Sequence, residues 1–216
     1  MLRISGCAVL FAVLLTAASP GWQSKPVSGW SVDEARQFLA GSPWVKTVAV
    51  TLVKRQSEDR LRDGGRMGSG STHIGLTGRE EAPPSGKMEL RWESALPVRV
   101  AEMKSGEIAA PDWEGEFYAI AIYDVPGVTP AMMKTLRGDL KHTTVLRRAG
   151  MKDLKPVDVR IEMPGSGLAR VLYLFPRWAE FTDGGARLEF VSQIGRVYVS
   201  QIFETGEMKY LGKLEL

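Results

Sequence analysis

Apolar positions recur along this chain in distinct rhythms, and each rhythm predicts a different kind of element. The helical rhythm comes first at Val32, Ala35, Phe38 and Leu39, which share one face at that spacing. Ser31 followed by Glu34 forms a capping box ahead of them, and Gly41 and Pro43 stop the run, so a helix of about ten residues is predicted. A second helix is predicted from Ser94 as cap, with Pro97 tolerated in the first turn, Leu96, Val100 and Met103 as its buried side, and Gly106 as its end. A third has Thr129 as cap, Pro130 as its first residue and Gly138 just past its end.

The second rhythm has period two. Residues 46–54 form a β-branched run that reads as a mostly buried strand. In residues 87–92, Met88, Leu90 and Trp92 alternate with Glu89 and Arg91, which predicts a strand with one wet face. Residues 116–123 are almost wholly apolar, as at the centre of a sheet covered on both faces. Six further strands are predicted at 142–147, 157–163, 168–175, 187–193, 196–203 and 208–215. The clearest alternates so as to expose Asp158, Arg160 and Glu162, and the glycine-bearing turns at Ile194-Gly195 and Thr205-Gly206 suit hairpins. The fold class that follows is α+β: a single domain over 30–216, with three short helices packed on a largely antiparallel sheet that ends in a C-terminal β-meander.

Three segments follow neither rhythm. Residues 56–86 are rich in Gly, Ser, Arg and Asp and read as a long flexible loop, while residues 19–29 read as a polar connector. Residues 1–18 carry one charge, at Arg3, then an apolar run closed by small side chains, which is the pattern of a secretory signal peptide. The run of about fifteen residues is short of the roughly 20 that a membrane span needs, so cleavage is expected and membrane attachment follows only if the segment is retained. Ile4-Ser5-Gly6-Cys7 resembles a lipobox but precedes the apolar run instead of following it. Export places the protein in the periplasm or outside the cell. Cys7 is the sole cysteine and leaves with the leader, so no internal disulfide is expected.

Charge changes this picture little. The formal net charge of +3 becomes +2 without Arg3, with 27 basic against 25 acidic residues, and the basic residues are scattered, which argues against nucleic acid as a partner. The two histidines, His73 and His142, are far apart, and with no cysteine left they supply too few donors for a structural zinc site. No Asp-x-Asp-x-Asp-Gly loop and no Gly-Lys-Ser/Thr cradle occurs, so neither a metal nor a cofactor is expected.

Candidate chemistry is therefore sparse. His73 sits among Ser69, Ser71 and Thr72, where a Ser–His pairing is conceivable but unspecific, and Glu89 with Glu93 or Asp112 with Glu114 offers carboxylate pairs beside tryptophans. The densest feature is the strand-to-helix junction with Arg91, Glu93 and Arg99. Alternation puts Arg91 and Glu93 on one side, opposite Trp92, and Arg99 follows within two helical turns. Such a corner suits an anion at a helix N-terminus or an internal ion pair of Glu93 with one arginine, and the ion pair is the plainer reading. Arg91, Glu93, Arg99 and His73 are thus the candidate binding residues, and no catalytic residue is assigned. The expectation is a non-enzymatic domain for an unidentified ligand or envelope protein, with a secreted hydrolase built on a carboxylate pair or the Ser–His loop as the alternative.

Ser42-Pro-Trp44, Arg91-Trp-Glu-Ser-Ala-Leu-Pro-Val-Arg99, Leu174-Phe-Pro-Arg177 and Gly212-Lys-Leu-Glu-Leu216 resemble segments of an uncharacterised family of secreted proteins from acidobacterial genomes. The resemblance spans most of the mature chain. It implies export to a bacterial envelope and carries over no functional residue.

Overall fold

The computed structural model describes residues 21–52, 86–106, 112–165, 167–177, 181 and 185–216. The leader, His73 and all of the 56–86 loop except Gly86 lie outside the described residues.

Helix α1 (Val32–Gly41) is capped as its sequence predicts: Ser31 Oγ accepts from the Glu34 amide at 3.1 Å and the Glu34 carboxylate accepts from the Ser31 amide at 2.9 Å. Its buried face carries Phe38, whose ring meets Trp22, Trp30 and Trp44 at centroid separations of 5.0, 5.1 and 5.4 Å. Trp22 belongs to a 3-10 turn, Gly21–Gln23, so the described part of the expected polar connector is anchored in the core. A large indole gains too much from burial to be left in a linker.

The α+β assignment holds, with the strands divided between two main sheets. Strands β1 (Val45–Ala49), β3 (Lys87–Trp92), β4 (Phe117–Val125), β7 (Ala169–Pro176) and β6 (Asp158–Glu162) form a five-stranded sheet in that order. Strands β2 (Thr51–Leu52), β9 (Val197–Glu204), β8 (Arg187–Ile194) and β5 (Val145–Arg148) form a four-stranded one, and β10 (Lys209–Tyr210) pairs with β11 (Lys213–Leu214). Every pairing is antiparallel. The run at 46–54 is therefore not one buried strand. It edges the first sheet as β1, passes Val50 and edges the second as β2, which leaves alternate residues open to solvent. The predicted meander is divided likewise, with β6 and β7 in the first sheet and β8 and β9 in the second.

Between the sheets lies the main core, where Trp92 meets Phe203 and Tyr173 meets Phe190, each at 5.2 Å between centroids. Inside it, Ser192 Oγ lies 2.9 Å from both Thr144 Oγ1 and Tyr173 OH, so the buried hydroxyls satisfy one another across the two sheets. The opposite face of the five-stranded sheet carries a second cluster of Ala119, Ala121, Tyr123, Leu172 and Leu174.

Two helices differ from expectation in register. Helix α2 (Leu96–Ser105) starts after Ala95, while Ser94 Oγ accepts from the Ala119 amide, tying the corner to β4. Its buried face is Pro97, Val98, Ala101, Glu102 and Ser105, whereas Leu96 and Met103 are exposed and Val100 is half-buried. Helix α3 (Met133–Thr143) starts later than predicted and runs through Gly138, burying Leu136 and Leu140 one turn apart. His142 consequently sits exposed in its last turn instead of opening a strand.

Candidate functional site

Strand alternation in β3 places Glu89 and Arg91 on the outer face of the five-stranded sheet, opposite Tyr123 and Ala121 of β4. Helix α2 then brings a carboxylate the sequence reading overlooked. Arg91, only 3% exposed, donates from Nε to Glu89 and from Nη1 to Glu102 Oε1 at 2.6 Å. Its guanidinium also stacks over the Tyr123 ring, 4.6 Å from the centroid. The Tyr123 hydroxyl donates to Glu93 Oε1 at 2.6 Å and reaches Glu102 Oε1 at 3.2 Å. The expected ion pair of Glu93 with an arginine is not what forms: Glu89 and Glu102 hold Arg91, and Glu93 accepts from Tyr123.

Three carboxyl groups face one guanidinium, and a proton balances them. Burial, then the charge of Glu102, pushes the Glu93 carboxyl well above its ordinary value of 4.5. Glu93 therefore favours the neutral acid, and its Oε2 atom, like that of Glu102, is buried with no hydrogen-bond partner among the described residues. Burial and the same two acids likewise raise the Tyr123 phenol, so it stays a donor. For Arg91, burial works against the charge, yet Glu89 and Glu102 outweigh it and hold the proton on. Glu93 and Glu102 are 0% and 1% exposed, so the cluster stores a proton and offers no substrate a way to it.

Arg99 takes no part. It is exposed and lies over the Trp113 ring at 5.3 Å, on the solvent side of α2. His73 lies outside the described residues, so the Ser–His loop cannot be placed against this cluster. A shallow groove between α3 and β6 is lined by Met133, Lys134, Arg137, Arg160 and Ile161, and Asp158 already pairs with its two arginines. Burial works to raise that carboxyl, and hydrogen bonds from Arg137 at 2.7 Å and Lys141 at 3.2 Å draw it down to about 2.

A larger concavity opens at one end of the two sheets. Its volume is about 530 Å³, and its walls come from Leu52, the segment after β4 with Val128, Met132 and Leu136 of the α3 region, and the β8–β9 hairpin with Ile194 and Val197. The β8–β9 turn puts Gly195 first, at φ +58, in the geometry of a glycine-led two-residue hairpin, and sets Arg196 beside it at the rim. A bulge shapes the opposite wall. Three steps along β4 from Ile122 to Val125 match two along β7 from Val171 to Ala169, with Asp124 left-handed at φ +59. Bulges of this kind end pairing and re-aim the chain, and here the redirected segment is Pro126 to Val128.

Glu102 and the cavity wall escaped sequence reasoning for different reasons. The signal for Glu102 was present, since Val98, Ala101 and Ser105 share its face at helical spacing. The cavity residues come from separate stretches of chain and carry no common pattern. Among the described residues no group of three or more His, Cys, Asp or Glu side chains is placed to hold a metal ion, and no helix is long and apolar enough to cross a membrane. The chain matches no family model, no curated protein and no solved structure.

Proposed function

We propose that this chain is an exported bacterial envelope protein, periplasmic or extracellular, that binds a ligand and performs no catalysis. The observation that carries the reading is the cavity of about 530 Å³, a volume typical of small-molecule sites, whose described lining residues include no histidine, carboxylate, thiol or hydroxyl. Catalysis by acid–base or nucleophilic chemistry needs such groups at hydrogen-bonding distance from the substrate. Among the described residues the buried carboxyls Glu93 and Glu102 lie in one cluster, and both are closed to solvent. The short charged start and apolar run of residues 1–18, together with the resemblance to secreted acidobacterial proteins, support export.

Two experiments test the reading. N-terminal sequencing of the protein from an envelope fraction should find a start at Ser19 or close to it, and an intact Met1 in a membrane fraction would refute cleavage. The neutral dye N-phenyl-1-naphthylamine should bind the purified protein at one saturable site and bind more weakly to Met132→Trp, whose indole takes up part of the cavity. Unsaturable dye uptake, or equal uptake by the variant, would place binding elsewhere.

A further inference from the structure

Resting on the reading of the cavity as a ligand site, we propose that its ligand is a free, single-chain amphiphile with one anionic head group, the chain inside the cavity and the head on Arg196. The lining divides in the way such a molecule does. Leu52, Val128, Met132, Leu136, Ile194 and Val197 supply aliphatic and thioether surface from four separate elements, enough to wrap a chain on several sides. Arg196 is the one charged side chain among the lining residues, and it stands exposed at the hairpin tip beside the opening. No hydrogen bond or ion pair engages its guanidinium among the described residues, in contrast to Arg91, Arg137, Arg147, Arg170 and Arg187, which each hold a carboxylate.

Charge complementarity sets the sign of the head group. A cationic amphiphile would bring its charge to an arginine with no acid in the lining to receive it, and a neutral one would leave the guanidinium's planar donor set unused. A carboxylate or a phosphate monoester matches that fork of N–H donors. The bulge at Asp124 and the glycine-led turn at Gly195 fix the two walls, so the cavity exists before a ligand arrives and little ordering opposes binding.

The test compares chain length and head charge by calorimetry on the mature protein. Each methylene added from octanoate to decanoate should tighten binding about fourfold while the cavity has room, the equivalent of burying about 0.8 kcal/mol of apolar surface per group. Decanoate should bind up to about fivefold more tightly than decanol at low salt, the range of an exposed ion pair, and the difference should shrink as salt is added. Arg196→Gln, at an exposed position, should abolish the preference and keep the dependence on chain length. Equal binding of decanol and decanoate, or an unchanged preference in Arg196→Gln, would overturn the anionic head while leaving the cavity as a ligand site. Absence of binding at every chain length and charge would overturn both, whether the cavity is taken by a second copy or by the chain that follows Leu52. Co-sedimentation with phosphatidylglycerol vesicles without saturable decanoate binding would overturn the proposal in favour of a bilayer surface.

Discussion

The cluster around Glu93 and the cavity around Val128 lie on the same protein with their polarities reversed. The cluster gathers three acids, an arginine and a tyrosine under α2 and buries all of them except Glu89, which is half-exposed at its edge. The cavity gathers aliphatic side chains at the end of the sheets, with Met132 exposed, Leu52 half-buried and Val128, Leu136, Ile194 and Val197 buried behind them. A functional site is often sought where titratable groups converge, and that search ends at Glu93. Accessibility reverses the ranking. A buried, perturbed carboxyl specifies how α2 docks on β3 and β4, whereas an apolar concavity is the kind of surface that our proposal assigns to a ligand.

The sharpest way to break this comparison is to remove the cation from the cluster. Arg91→Met leaves Glu89 and Glu102 facing each other without a counter-charge, which typically costs about 3–5 kcal/mol, or a fall in Tm of about 6–20 °C for a domain of this size. Adding Glu102→Met should restore a large part of the loss, since an apolar pair replaces a half-pair. A Tm for Arg91→Met equal to that of the parent would mean the cluster contributes no structural energy, and a role in binding would then have to explain it.

Next in size is the contrast between the two central acids. Glu102→Gln removes the carboxylate that receives Arg91 and should destabilise by about 3 kcal/mol. Glu93→Gln replaces a protonated acid by an amide of the same shape that still accepts from Tyr123, and should cost under about 1 kcal/mol in denaturant unfolding. Equal losses would mean that Glu93 is charged like Glu102.

The pH dependence follows from the same proton and has a definite sign. Glu93 is raised in the folded protein above its unfolded value of 4.5, so the stability it contributes is complete below 4.5 and declines as pH rises toward the folded value. Glu93→Gln should therefore flatten the decline of unfolding free energy above pH 4.5, by an amount read as the difference in slope between the two proteins. Asp158 behaves oppositely: held at about 2, it contributes above its ordinary 3.8 and loses that contribution as pH falls through about 2. Asp158 is half-buried and its partners Arg137 and Lys141 are partly exposed, so solvent screens the pair and Asp158→Asn should change the acid limb less than Glu93→Gln changes the limb above it.

Much of the scaffold that carries both regions was legible in the residues. The capping box of α1, the central position of β4 and the antiparallel pairing of β8 with β9 follow from local chemistry and alternation, which act over a few residues. What escaped depends on contacts distant in sequence. The split of 46–54 between two sheets is decided by β3 on one side and β9 on the other, and nothing within Thr47 to Leu52 marks it. The face of α2 was misjudged because hydrophobicity alone ranks Leu96 and Met103 above Glu102, while Arg91 and Tyr123 make burial of the acid favourable. Gly138 reads as a helix end by propensity, but the anchors Leu136 and Leu140 carry α3 past it.

The smallest expected effect on stability tests the cavity side. Met132 is 43% exposed and lines the cavity without a hydrogen bond to lose, so Met132→Trp exchanges one flexible apolar side chain for a larger one at a place with room. Overpacking a filled core costs about 1–3 kcal/mol because neighbours are forced from their rotamers, whereas entering open space involves no such displacement. The unfolding free energy of Met132→Trp should therefore stay within about 0.5 kcal/mol of the parent while dye and decanoate binding are weakened. A loss of several kcal/mol would show that the walls already close on one another, and the contrast between a sealed polar cluster and an open apolar site would collapse to two parts of one core.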